Sequence, residues 1–180
     1  LKKDPDMAKK IDRAVFPGLQ GGPHDNVTAG IAVCMKEANT AKFKSYGHQI
    51  VKNAKALANA LQKKGSTLTT GGTDSHLIVL DLRKEQVIGN IVAEALEVAN
   101  IVVNYNTVPH DTNPPMYPSG VRLGTPIVTT RGMKEKEMKK ISDWIVEVIH
   151  EVEHYRLPES KEERANFIKK VKAELWKNKK

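Results

Sequence analysis

The feature that most constrains the fold is a change of period at Gly65. Upstream of it, Ile50, Val51, Ala54, Leu57, Ala58 and Leu61 recur at i, i+3, i+4 and i+7, the stripe of a helix packed on one side. Gly65 is placed to stop that helix as a C-cap, since glycine takes positive φ without steric cost. Downstream, residues 66–70 and 76–82 read as two strands, separated by the turn Gly71-Gly72-Thr73-Asp74. A one-sided helix that gives way at once to strands must bury its stripe against the sheet they form.

The remaining chain extends the pattern. Residues 5–15 read as a short amphipathic helix through Met7, Ile11, Ala14 and Val15. Phe16-Pro17-Gly18-Leu19-Gln20-Gly21-Gly22-Pro23 should then break all regular structure, Pro fixing φ and Gly opening positive φ. A long helical stretch over 27–64 is expected, interrupted near Asn39-Thr40 and at Gly47. A helix over 88–99 and a strand over 101–104 follow. Residues 105–119 contain Pro109, Pro114, Pro115 and Pro118 and can be neither helix nor central strand. A loop of that length inside a compact domain is usually functional or disordered. Val121-Arg122-Leu123 makes a short strand, and helices over 134–152 and 159–176 complete the chain. Strands interleaved with helices in this order argue for an α/β sandwich. Residues 51–180 form the domain proper, and residues 1–50 the trailing segment of a larger one.

Composition removes several classes. No apolar run approaches the roughly 20 residues needed to span a bilayer, and the first six residues, Leu-Lys-Lys-Asp-Pro-Asp, do not form a signal peptide. The single Cys34 excludes an internal disulfide framework and points to a reducing cytoplasm; on an apolar stripe it is expected to be a buried thiol. Five of the eight net positive charges sit in residues 161–180, where apolar Ile168, Val171 and Leu175 continue an inner stripe. That is a solvated helix face, and with no recognition-helix or RNA-binding signature beside it, nucleic acid is not the expected partner. His150 and His154 stand at i, i+4 on a charged helix end without an evident third ligand, so no metal is expected.

Three constellations could carry chemistry. Gln20-Gly21-Gly22-Pro23 opens onto a helix, where exposed backbone N–H groups and the helix dipole favour an anion; the alternative is a tight turn. Arg122 stands alone on an apolar strand between Gly120 and Gly124. A guanidinium there calls for a carboxylate or phosphate, either from a ligand or from an internal Asp or Glu. Asn104-Tyr105-Asn106-Thr107 leads into the proline-rich loop. Its amides could read a heteroaromatic edge or simply bond their own backbone.

Taken in order, five motifs resemble the serine hydroxymethyltransferase family. They are Ala14-Val15-Phe16-Pro17-Gly18-Leu19-Gln20-Gly21-Gly22-Pro23-His24, Asn53-Ala54-Lys55-Ala56-Leu57, Gly71-Gly72-Thr73-Asp74-Ser75-His76-Leu77, Val103-Asn104-Tyr105-Asn106-Thr107-Val108-Pro109, and Gly120-Val121-Arg122-Leu123-Gly124-Thr125-Pro126 followed by Thr129-Thr130-Arg131-Gly132. The resemblance covers about residues 7–150. It implies the small C-terminal α/β domain of a fold-type I pyridoxal-phosphate enzyme, together with the end of its large domain. The implied transferase interconverts serine and glycine and passes a one-carbon unit to tetrahydrofolate, in the cytoplasm, as a homodimer or tetramer with shared active sites.

By the same resemblance, Gly22, with Gly21, meets the cofactor phosphate of a neighbouring subunit. Arg122 grips the amino-acid carboxylate, Asn106 faces the pterin, and Pro114, Pro115 and Met116 line the folate site. Arg131 resembles a second arginine near the active site. Tyr105 stands where the family often has Lys, Ser75 where it has Asn, and His110 where it has Asn or a small residue. The family's Schiff-base lysine, in a Thr-rich stretch ending His-Lys, has no counterpart here, so the chain alone is expected to be inactive. Two other readings remain open at this point: an aminotransferase-like relative of the same fold, and a non-catalytic stand-alone domain.

Overall fold

A computed structural model describes residues 4–177; Lys179 and Lys180 of the basic tail lie outside them. The chain divides into two compact units, Leu1–Lys44 and Ser45–Lys180.

The first unit is helical. Helix α1, Pro5–Arg13, is fixed at its start by the Asp4 side chain, which accepts from the Met7 N–H (2.9 Å), and by Pro5 in the first turn. A wide turn over Ala14–Leu19 follows, with an extended Phe16 inside it and Gln20 N–H bonded to Val15 O (2.8 Å). The helix is thus broken at Phe16, and residues 20–24 have no regular structure, as expected. Gly18, Gly21 and Gly22 all avoid positive φ, against the sequence expectation. Helix α2, Asp25–Ala38, ends at Asn39. No side chain between residues 4 and 44 is buried. Cys34 is accordingly exposed, correcting the expected buried thiol: the stripe it lies on meets no partner among the described residues of its unit.

The second unit holds the core. Helix α3, Ala41–Lys63, runs straight through Gly47, so the expected interruption occurs only at Asn39-Thr40. Its end is closed as the sequence requires: Gly65 has φ +89°, with Gly65 N–H on Gln62 O (2.9 Å) and Ser66 N–H on Leu61 O (3.1 Å). Four antiparallel strands follow, β1 Thr67–Leu68, β2 Leu77–Asp81, β3 Asn104–Asn106 and β4 Gly120–Gly124, in the order β1-β2-β4-β3. Helix α4, Gly89–Val98, separates β2 from β3; α5, Pro126–Thr130, α6, Glu135–Val152, and α7, Lys161–Lys177, come after β4. The short α5 was not foreseen.

Strand β3 lies further along than expected. Ile101 N–H is taken by Leu96 O (2.8 Å), closing α4 over Asn100 at φ +63°, and pairing to β4 begins only where Asn104 meets Arg122.

The sheet has two unlike faces. Ile78 and Leu80 of β2 lie opposite Leu123 and Val121 of β4, and all four are buried in one cluster with Leu57 and Leu61 of α3, Ile91 and Leu96 of α4, and Met138, Ile145 and Ile149 of α6. Each such side chain contributes about 1.5–3 kcal/mol on burial. The opposite face carries Leu77, Val79 and Asp81 of β2, Arg122 of β4, and Asn104 and Asn106 of β3. Helix α7 packs on α4 through Val171, with Lys172 Nζ 3.0 Å from a Glu94 carboxylate oxygen and the Trp176 indole N–H bonded to the same carboxylate. This is the expected α/β sandwich, helices on one side of a small sheet.

Candidate functional site

Strand pairing brings together residues that the sequence holds eighteen positions apart. Asn104 stands opposite Arg122 and Asn106 opposite Gly120, so both amides and the guanidinium share the face turned away from the buried cluster. Arg122 is exposed, and its Nε donates to Asn104 Oδ1 (3.1 Å). Among the described residues no carboxylate pairs with it. A shallow depression of about 550 Å³ lies beside it, lined by His76, Leu77, Val103, Asn104 and Arg122.

Arg83 shows what a satisfied guanidinium looks like. Asp81, opposite Gly120 on the same face, takes a fork of hydrogen bonds from Arg83 Nε and Nη2 (2.6–3.1 Å). Those bonds hold the Asp81 carboxyl below its ordinary range against the upward push of its burial. Arg83 is committed to structure, while the terminal nitrogens of Arg122 have no acceptor among the described residues.

Both asparagines bond their own neighbourhood: Asn104 Nδ2 donates to Tyr105 O (3.0 Å) and Asn106 Nδ2 to Thr107 O (2.6 Å). These local bonds orient the side chains and leave the Asn106 Oδ1 without a protein donor among the described residues. Behind Asn106 the main chains nearly touch. A Cβ on Gly120 would fall 2.6 Å from Val108 Cγ1, 2.7 Å from Asn106 O and 2.8 Å from Leu80 O. Only glycine permits that approach.

The proline-rich loop beyond Asn106 is ordered by a residue that sequence reading passed over. Asp111 Oδ2 accepts from Val108 N–H (3.3 Å) and Ser119 N–H (2.9 Å), and Oδ1 from Asn113 N–H (3.0 Å) and Ser119 Oγ–H (2.7 Å). Burial pushes this carboxyl up, but the bonds from Ser119, Asn113 and Val108 outweigh it and the net shift is downward. The Asp-x-Asn spacing was the available signal, an Asx-turn pattern. At the loop's crest, Pro114, Pro115 and Met116 are exposed, with Met116 O receiving Asn90 Nδ2 (3.1 Å).

Arg131 caps α5 and is exposed, its helix pinned to α3 from below. Fully buried Asn53 donates from Nδ2 to Thr129 Oγ1 (2.8 Å) and Met133 O (2.9 Å), while its Oδ1 accepts from Gln49 (3.0 Å). Gly21 and Gly22 belong to the other unit, just ahead of α2, and a Cβ on either would meet nothing within 4 Å. Their main chain is open to approach.

The family model described as serine hydroxymethyltransferase matches residues 2–145. The chain is 49% identical over 165 residues to a serine hydroxymethyltransferase of Methanospirillum hungatei, covering 92% of this chain and 40% of that protein. It is 50% identical over 165 residues to serine hydroxymethyltransferase 2 of Mesorhizobium japonicum, covering 92% and 36%. With a serine hydroxymethyltransferase of Acidothermus cellulolyticus it shares 55% over 141 residues, covering 78% and 33%. The chain thus spans well under half the length of the curated relatives it matches. Among the described residues no helix is long and apolar enough to cross a membrane.

Proposed function

Because this chain belongs to the serine hydroxymethyltransferase family, we propose that it supplies the substrate-carboxylate and folate-facing wall of an enzyme that interconverts serine and glycine with transfer of a one-carbon unit to tetrahydrofolate. The carrying observation is the shared face: an exposed guanidinium that, among the described residues, has no carboxylate partner, beside an asparagine whose Oδ1 has no donor among them, on paired strands. Arg122 binds the amino-acid carboxylate through its planar fork, with Nε steadied by Asn104 so that the two terminal nitrogens point one way. Fixing the carboxylate fixes the rotation about the Cα–carboxyl axis, which is a positioning role. Asn106 presents its Oδ1 to the donor edge of the pterin, and Pro114, Pro115 and Met116 give its ring an apolar flank. Arg131 stands as a second arginine near the active site.

Gly21 and Gly22 fit the phosphate end of pyridoxal phosphate, since they precede a 14-residue helix and leave their N–H groups approachable. When bound, that group draws electron density away from the substrate Cα. The phosphate held is that of a neighbouring subunit in a homodimer or tetramer, in keeping with the exposed apolar side chains of residues 4–44. The setting is the cytoplasm. All the relatives named above are serine hydroxymethyltransferases, and neither an aminotransferase nor a non-catalytic domain finds support among them.

The test is Arg122→Ala in a full-length protein carrying this segment. Hydrogen bonds to a charged group contribute about 1.5–3 kcal/mol, so kcat/KM for serine should fall about 10- to 150-fold. Tetrahydrofolate affinity should hold. Unchanged serine kinetics would remove Arg122 from the site.

A further inference from the structure

We propose that Asp111 is the positioning residue of the folate wall, a carboxylate clamp that sets the proline-rich loop against Asn106; this rests on the folate reading above. The loop leaves β3 at Thr107 and re-enters the sheet at Gly120, and Asp111 joins its two ends. One carboxylate oxygen holds Val108 N–H on the outgoing side and Ser119 N–H on the returning side. The other holds Asn113 N–H and the Ser119 hydroxyl. Ser119 is buried, and its carbonyl receives Leu82 N–H (2.8 Å), so the clamp is anchored to the end of β2.

Two ties from outside the loop also act on it without replacing the clamp. Arg83 Nη1 donates to His110 O (3.4 Å) at its shoulder, and Asn90 Nδ2 to Met116 O at its crest. Neither connects the outgoing and returning strands. Asn113 Nδ2 adds a side-chain bond to Ser119 Oγ (3.0 Å), but among the described residues only the Asp111 side chain holds main-chain N–H groups of both ends, at Val108 and at Ser119, one residue before Gly120, the residue opposite Asn106. The separation between Asn106 and the Pro114-Pro115-Met116 crest is therefore set by the Asp111 carboxylate. A flat bicyclic ring that contacts both feels any change in that separation, whereas a carboxylate on Arg122 does not.

Substitutions at Asp111 should grade by how many acceptors they leave. In Asp111→Asn, an NH2 at the Oδ2 place would face two backbone N–H groups, so the amide turns the other way. There it still donates to Ser119 Oγ but opposes Asn113 N–H. One bond and the negative charge are lost, while Asp111→Ala loses all four.

The experiment uses full-length protein with pyridoxal phosphate bound and titrates glycine and tetrahydrofolate separately. Asp111→Asn should weaken tetrahydrofolate binding about tenfold and Asp111→Ala more, with glycine affinity changing less than about twofold. Should Asp111→Ala not fold, Asp111→Asn and Ser119→Ala carry the test. Equal losses for both ligands, or an unchanged tetrahydrofolate affinity, would overturn the clamp. Asn106→Ala separates the two levels. If it weakens tetrahydrofolate and Asp111→Asn does not, only the clamp is refuted; if neither does, the folate reading fails and takes the clamp with it.

Discussion

Replacing Gly89 by alanine should destabilise the second unit by an amount its backbone geometry sets. Gly89 opens α4 and donates its N–H to Pro118 O (2.7 Å). A Cβ there would lie 2.1 Å from Gly120 O and 3.0 Å from both Gly120 C and Tyr105 Cβ. Real contacts of this kind start near 3.0 Å, so the helix and β4 must part. The nearest obstacle is the Gly120 main chain, and the Gly89–Pro118 bond resists the parting. Overpacking typically costs about 1–3 kcal/mol, and a backbone obstacle puts this case at the upper end. With about 2–4 °C per kcal/mol for a chain of this size, the melting temperature should fall by about 6–12 °C. Gly47 gives the opposite sign: it lies within α3 with nothing within 4 Å of its Cβ position, so Gly47→Ala should gain about 0.5–1 kcal/mol. Thermal melts by far-UV circular dichroism measure both. A Gly89→Ala melt within about 2 °C of the parent would refute the close approach as the reason for glycine here.

Asn53→Ala should cost about 1–3 kcal/mol in urea unfolding, because Met133 O loses its buried donor, and α5 should exchange its amides faster. The Asp111 carboxyl, held below its ordinary value of 3.8, stabilises the loop fully above the unfolded value and loses that contribution as pH falls through the folded one. Amide exchange at Asn113 and Ser119 should therefore stay protected at neutral pH and gain protection loss on acidification to below about pH 4, relative to the intrinsic rate. An Asp111→Asn chain should show no such step.

The longer helices and their ends were legible because the signals are local. The stripe from Ile50 to Leu61 and the stop at Gly65 belong to one stretch of chain, and Asn100 closes α4 in the same manner. Strand β3 was misplaced because Ile101-Val102-Val103 has the composition of a strand while its position depends on β4. Val102 is 81% exposed, and pairing starts at Asn104 only because Arg122 stands opposite. The site divided along the same line. Arg122 and Asn106 could be chosen from their chemistry and their motifs, but their sharing a face is a fact of non-local register. Asp111 escaped because an aspartate in a loop carries no periodicity, and its partners Val108 and Ser119 lie on opposite sides of four prolines.

The alternation of β4 ties the recognition proposed for Arg122 to folding. Val121 and Leu123 point one way and Arg122 the other, so sliding this strand past β2 by a single residue would drive a guanidinium into hydrocarbon and strand two aliphatic side chains in water. Misalignment is therefore penalised by the interior itself, at several kcal/mol for an uncompensated buried charge. Chains that reach the folded state at all reach it with the Arg122 side correctly turned out.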